Sequence, residues 1–307
     1  MTRMPSLRQV IRVMICAVLL AVLAACSGGA GAASSGATVK PGASGRVQVG
    51  GRPFSLEVPR GYTKSTPVPL VVALHGYSSS GGDFVNWTGL ARQADDRGFL
   101  LAYPDGTKDA QGERFWNATA ACCDFQASGV DDSGYLSKVI STVEKQYAVD
   151  TSRVYVVGHS NGGFMALRMA CEHADQVTAV VSIAGEMTDD PSTCKPARKV
   201  TVLQLQGDED GTIHYDGGDG ATGAHYPGAV QTVQDWRTLD ACGATSTAGP
   251  SVDLVGNLRG TETDETSWSC ADGTQVDLWT MHHADHVPQW STGFAATLSD
   301  WLLAQKR

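Results

Sequence analysis

Near its middle the chain reads Val154-Tyr155-Val156-Val157-Gly158-His159-Ser160-Asn161-Gly162-Gly163. An apolar run of β-branched and aromatic residues, the composition of a buried strand, stops at Gly158, and Ser160 follows midway between it and Gly162. The residues after it continue as a helical pattern. This is G-x-S-x-G at a strand-to-helix turn, where a serine is forced into a strained backbone with its hydroxyl out over the sheet edge. The flanking glycines let neighbouring segments pass close by. With 35 glycines in the chain, the pentapeptide alone carries little weight. It occurs once, in the setting the chemistry needs, and Ser160 is read as a nucleophile rather than as an exposed serine in a glycine-rich turn.

Outward from this turn, the pattern alternates. Residues 46–50 and 53–58 predict an opening hairpin, 68–74 a buried strand, 83–97 a helix and 99–103 a strand. An apolar stripe from Tyr135 to Tyr147 predicts a helix over 131–147. After strand 153–157 and helix 161–172 come strands 177–183 and 200–205, a helix at 227–240, strands near 251–255 and 275–281, and a last helix at 290–305. Continuous apolar strands alternating with helices predict an α/β fold, a mostly parallel central sheet with helices on both faces. Its ligand site belongs beyond the carboxyl ends of the strands.

The first 25 residues read as an export signal: Arg3, Arg8 and Arg12, an apolar stretch from Val13 to Leu23, then Ala24-Ala25. Leu23-Ala24-Ala25-Cys26 resembles the lipobox of bacterial lipoproteins, which implies a lipidated Cys26 and a membrane contact through that anchor only. Residues 26–44, mostly Gly, Ala and Ser, read as a flexible tether, leaving 45–307 as one catalytic domain. The formal charge is −9; removing the three leader arginines leaves 20 basic against 32 acidic residues, or −12. With no basic run, nucleic acid is a poor partner, and neutral or esterified substrates fit better. Six cysteines remain beyond the leader and Cys26. An even number in an exported chain favours disulfides. Cys242 is expected to pair with Cys270. A vicinal bridge is strained, so Cys122 and Cys123 are each expected to reach Cys171 or Cys194.

A serine hydroxyl needs a base, and the base needs an orienting acid. With a serine elbow, the acid follows a later strand and the histidine follows the last one. Asp208, Glu209 and Asp210 compete after strand 200–205, and Asp210 fits the Gly-x-x-Asp spacing. In Met281-His282-His283-Ala284-Asp285-His286-Val287-Pro288 the base is assigned to His286, with His283 second. A metal cluster of His282, His283, Asp285 and His286 is the rival reading; the serine chemistry requires no metal or cofactor. For the oxyanion, the donors are the backbone amides of Asn161 and Tyr77, the latter in the loop after strand 68–74.

His75-Gly76, Trp116-Asn117 with Cys122-Cys123, Val130-Asp131-Asp132, the serine elbow and Gly207-x-x-Asp210 occur in that order. Together they resemble the extracellular polyhydroxybutyrate depolymerase-like esterases, a group that includes feruloyl and acetyl-xylan esterases. The resemblance spans about residues 50–290 and implies a secreted serine ester hydrolase of α/β-hydrolase fold. The His-His-Ala-Asp-His-Val-Pro run departs from the glycine-rich segment common before the family's histidine.

Only about 16 residues separate strands 177–183 and 200–205, too few for a large lid, so the cleft is expected to be open and suited to polymer-linked or bulky esters. Trp87, Trp116 and His159 are the candidate substrate contacts, with Tyr77 and Trp290 nearby. A serine peptidase of related fold and a non-catalytic surface-binding lipoprotein are the alternatives. The sequence does not set the oligomeric state.

Overall fold

Strands apolar on both faces must be covered on both. In the computed structural model, which describes residues 38–307, ten strands form one sheet in the order β1-β2-β4-β3-β7-β8-β9-β14-β13-β12. They are β1 (Ala43–Val49), β2 (Arg52–Val58), β3 (Val68–Leu74), β4 (Leu100–Pro104), β7 (Val149–His159), β8 (Ala179–Ile183), β9 (Thr201–Gly207), β12 (Thr247–Ala248), β13 (Thr263–Ser269) and β14 (Gln275–Met281). Two small hairpins stand apart: β5 (Thr107–Lys108) with β6 (Arg114–Phe115), and β10 (Gly217–Asp219) with β11 (His225–Pro227). The central strands from β4 to β14 pair in parallel. Antiparallel strands flank them on both sides.

Alternation along the strands sorts the core into two layers. Leu70, Val72 and Leu74 of β3 face Leu136 and Ile140 of α3 (Asp132–Gln146), Phe164 of α4 (Asn161–Glu172) and Trp236 of α5 (Ala229–Leu239). Val71 and Ala73 face the other layer: Phe84 of α1 (Gly81–Thr88), Leu90 of α2 (Leu90–Arg97) and Leu298 of α6 (Phe294–Ala304). This two-sided burial is why the strands read as unbroken apolar runs.

Several expectations are corrected. The helix expected over 83–97 is two helices, because Gly89 takes φ 71° and ends α1 before α2 begins. The strand expected near 251–255 reduces to isolated bridges at Val252 and Val255. Its place beside β14 belongs to β13, whose polar Thr263-Asp264-Glu265-Thr266-Ser267 gives little strand signal. β1 begins at Ala43, inside the segment read as tether, and Val39 donates its N–H to Tyr147 Oη at 2.7 Å. The leader, Cys26 and the rest of the tether up to residue 37 lie outside the described residues.

The disulfide expectation changes too. Cys242 pairs with Cys270, but Cys171 pairs with Cys194 and Cys122 with Cys123. Cys171, near the end of α4, lies with its Cα 5.1 Å from that of Cys194, an ordinary bridging separation. The two satisfy each other, which leaves Cys122 only its neighbour. Between β8 and β9 the single regular element is a short 3-10 turn, Pro191–Thr193, so no helical lid arises there.

Candidate active site

The elbow is built from close backbone approach. Ser160 lies between β7 and α4 with φ 53° and ψ −122°, a region costly for any residue with a Cβ. It is held there from both sides. Its N–H donates to the Ile183 carbonyl at the end of β8 (2.8 Å), and its carbonyl accepts from Gly163 (2.7 Å) and Phe164 (3.0 Å). A Cβ at Gly158 would overlap the Gly162 carbonyl, and one at Gly162 would overlap the Leu74 carbonyl. The glycine spacing is therefore a packing requirement.

The acid loop after β9 and the histidine loop after β14 lie side by side because β9 and β14 are parallel neighbours. Three acids meet three histidines across them. Asp208 bonds His282 Nδ1 (2.8 Å) and accepts the His283 N–H (2.6 Å). Glu209 bonds His283 Nδ1 (2.8 Å). Asp210 Oδ2 bonds His286 Nδ1 (2.7 Å). The first two pairs are exposed, whereas Asp210 and His286 are buried. Asp210 Oδ1 is occupied by the N–H groups of Thr212 (2.8 Å) and Ile213 (2.9 Å). His282 also bonds Asp264 (3.1 Å), and those two acids hold its pKa up. Each histidine thus has its own acid. Among the described residues no three His, Cys, Asp or Glu side chains converge as metal ligands.

His286 and Ser160 line one cleft of about 270 Å³ with Gly76, Tyr77, Trp87 and His159. Ser160 Oγ and His286 share no hydrogen bond here; catalytic contacts of this kind commonly tighten only in the substrate complex. A larger hollow, about 430 Å³, lies beside the Cys171–Cys194 bridge and touches none of these side chains.

The backbone amides of Asn161 and Tyr77 have no hydrogen-bond acceptor among the described residues. Asn161 opens α4, where the first amides have no partner within the helix. Ser78, at φ 63°, gives its N–H to the Arg114 carbonyl (2.8 Å), while the Tyr77 amide has none. Asn161 has a second task. Its buried side chain accepts from the Trp116 N–H (2.7 Å) and donates to the Trp116 carbonyl (2.8 Å). His75 is also buried. Its Nδ1–H donates to the Gly76 carbonyl (2.7 Å) and its Nε2 accepts from the Gly106 amide (2.9 Å), which requires a neutral ring; burial keeps its pKa low.

His159 donates from Nε2 to the His286 carbonyl (2.9 Å) and packs between Trp87 and His286, with ring centroids 4.8 Å from each. Burial, reinforced by repulsion from His286, pushes its pKa down to about 4, so it stays neutral. Trp87 forms one wall of the cleft and packs against Trp290 with the rings tilted by 45° (centroids 4.9 Å apart). Trp116 does not reach it. Its side chain is fully buried, with the indole N–H on the His75 carbonyl (3.0 Å). It supports the loop from below, so the expectation that it contacts substrate is corrected.

One group of residues escaped the sequence reading. Behind Asp210, Gln206 Nε2 donates to the Ile213 carbonyl (2.6 Å) and reaches Asp210 Oδ2 (3.5 Å). Gln204 Nε2 donates to Gln206 Oε1 (3.1 Å) and to Glu186 Oε1 (3.2 Å). All are buried. The available signal was polar residues inside apolar runs: Gln204 and Gln206 in β9, and Glu186 just after β8.

A profile of the putative esterase family matches residues 50–244. Feruloyl esterase B of Piromyces equi is 27% identical over 243 residues, 77% of this chain and 42% of that protein. The putative esterase NocK of Nocardia uniformis subsp. tsuyamanensis is 34% identical over 149 residues, 48% of this chain and 42% of its own length. The chain thus spans less than half the length of these two curated relatives. An acetyl xylan esterase from Aspergillus awamori superposes with a TM-score of 0.60 at 15% identity, covering 85% of this chain and 99% of that one. A thermostable esterase gives 0.55 at 14% identity, covering 86% of this chain and 63% of that one. At such identities the likeness is one of fold. With the profile covering well over half its length, this chain belongs to the putative esterase family.

Proposed function

We propose that the protein is a serine carboxylic ester hydrolase working through an acyl-enzyme on Ser160. The observation that carries this reading is the buried Asp210–His286 bond, whose histidine lines the same cleft as Ser160. With Nδ1–H on Asp210, His286 keeps Nε2 free as a base. Ser160 Oγ bonds to the ester carbonyl carbon while its proton passes to Nε2. The carbonyl electron pair moves onto oxygen, where the Tyr77 and Asn161 amides receive the charge. Collapse restores the carbonyl and breaks the bond to the alcohol oxygen, which leaves with the proton from His286. Water repeats the sequence on the acyl-serine and frees the acid. The protons and electron pairs stay among ester, water and these side chains, so the scheme calls for no cofactor.

The substrates we propose are bulky or polymer-linked esters. Trp87, Phe84 and Tyr77 supply an apolar, partly aromatic wall, and no lid helix follows β8. Feruloyl and acetylxylan esters, the substrates in the relatives' names, fit such a cleft. We also propose that the protein acts outside the cytoplasm, where disulfides such as its three persist, and that Cys26 anchors it to the membrane surface. The test is fluorophosphonate labelling of the purified domain, with hydrolysis of methyl ferulate, acetylated xylan and polyhydroxybutyrate. Labelling should vanish in Ser160→Ala and fall steeply in His286→Ala; a wild type that neither labels nor cleaves any ester refutes the reading.

A further inference from the structure

Asp210 is not the end of the buried polar network. Its Oδ1 is saturated by two backbone amides, while Oδ2 takes His286 and, at 3.5 Å, Gln206. Gln206 spends its other N–H on the Ile213 carbonyl in the same loop, which fixes the amide plane. Its Oε1 is in turn fixed by Gln204, which uses its second N–H on Glu186. The donors diverge from Gln204, directly to Glu186 at one end and through Gln206 to Asp210 at the other. Glu186 is fully buried, and no cation pairs with it. The titratable groups that face it are Asp210, Tyr215 and Tyr226.

We infer that Glu186 is a positioning residue: a neutral, proton-bearing anchor whose hydrogen-bonded chain through Gln204 and Gln206 sets the orientation of Asp210 and hence of His286. The chemistry of the end groups agrees. Glu186 Oε2 and Gln204 Oε1 are both buried without a partner. Among the described residues the Thr232 hydroxyl is the one further polar side chain that faces the Glu186 carboxyl; an ionised Glu186 offers only acceptors to this buried group, whereas a protonated one brings a hydroxyl donor to it. Burial raises the Glu186 pKa well above the usual carboxylate range, and the Asp210 charge adds to the rise.

The inference rests on the ester-hydrolase reading, and its test separates the two. Wild-type hydrolysis that is lost in Ser160→Ala secures the reading first. Glu186→Leu should then lower kcat about tenfold, the scale of one lost orienting hydrogen bond, with KM within about twofold. Loosening the donor to Asp210 makes that carboxylate more basic, so the acid limb of kcat/KM should move to higher pH by about half a unit. Glu186→Gln, which keeps the shape and adds no charge, should restore kcat and the limb. Gln206→Met tests the middle link if Glu186→Leu fails to fold, and should give the same loss and shift. A folded Glu186→Leu or Gln206→Met with kcat and limb unchanged overturns the inference. So does a Glu186→Gln limb moved to lower pH, because that result means an ionised Glu186.

Discussion

Asparagine at position 210 should do more than remove a charge. Asp210 Oδ1 accepts two backbone N–H groups, from Thr212 and Ile213, at 2.8 and 2.9 Å. Those donors cannot move without breaking the loop, so the asparagine carbonyl must take that side. Its NH2 then faces His286 Nδ1, where the carboxylate oxygen stood at 2.7 Å. Two donors cannot share that contact, and the imidazole must shift its proton to Nε2. The nitrogen that should take the Ser160 proton is then blocked. A histidine locked in the wrong tautomer costs about 10⁴ in kcat, or about 5 kcal/mol of barrier. Asp208→Asn leaves His286 untouched and should stay within about threefold of wild type. The assay is kcat/KM on an aryl ester near pH 7.5, with thermal melts to confirm folding. An Asp210→Asn enzyme retaining more than a tenth of wild-type turnover, or losses of equal size in the two variants, refutes the tautomer argument.

Ser160 carries backbone strain of about 1–3 kcal/mol, which glycine would release at a cost of up to about 1 kcal/mol in chain entropy. Ser160→Gly should therefore be inactive yet melt about 2–4 °C above Ser160→Ala; equal melting points would count against a strained elbow. His159 should leave a mark on stability at low pH. Its folded pKa of about 4 lies below the unfolded value of 6.5. Between those values the unfolded chain binds more protons, so stability is lost as pH falls, by about 1.4 kcal/mol per unit. His159→Leu lacks this penalty. The stability gap between wild type and variant should shift against the wild type by about 3 kcal/mol from pH 7 to pH 4. Urea melts at several pH values measure it, and a gap independent of pH argues that His159 is not buried neutral.

Much of this architecture was legible because the physics is local. Strand β3 and the Val154–Val157 stretch of β7 announce themselves by unbroken apolar runs, and the elbow by glycines whose missing Cβ atoms admit neighbouring backbone. Other features depend on partners distant in the chain. β13 is polar along most of its length and becomes a strand through pairing with β14. Gly89 inside a helical pattern gives no sign whether it bends or breaks the helix. Trp116 was as plausible in the cleft as beneath it until the Asn161 side chain was seen to clamp its backbone. Gln204 and Gln206 lie on β9 and Glu186 just after β8, segments that meet only in the folded sheet, so their hydrogen bonds cannot be read from spacing.

The acid and histidine loops also pose a problem of address. Three carboxylates on one short loop face three imidazoles on the other, and a slip of one position would hand Asp210 to the wrong ring. The outer pairs prevent the slip by occupation: Asp208 takes His282 and the His283 amide, and Glu209 takes the His283 ring. These exposed pairs contribute little to stability. Their consequence is uniqueness, because with every competing acid and ring already spoken for, the buried acid has one histidine left to find.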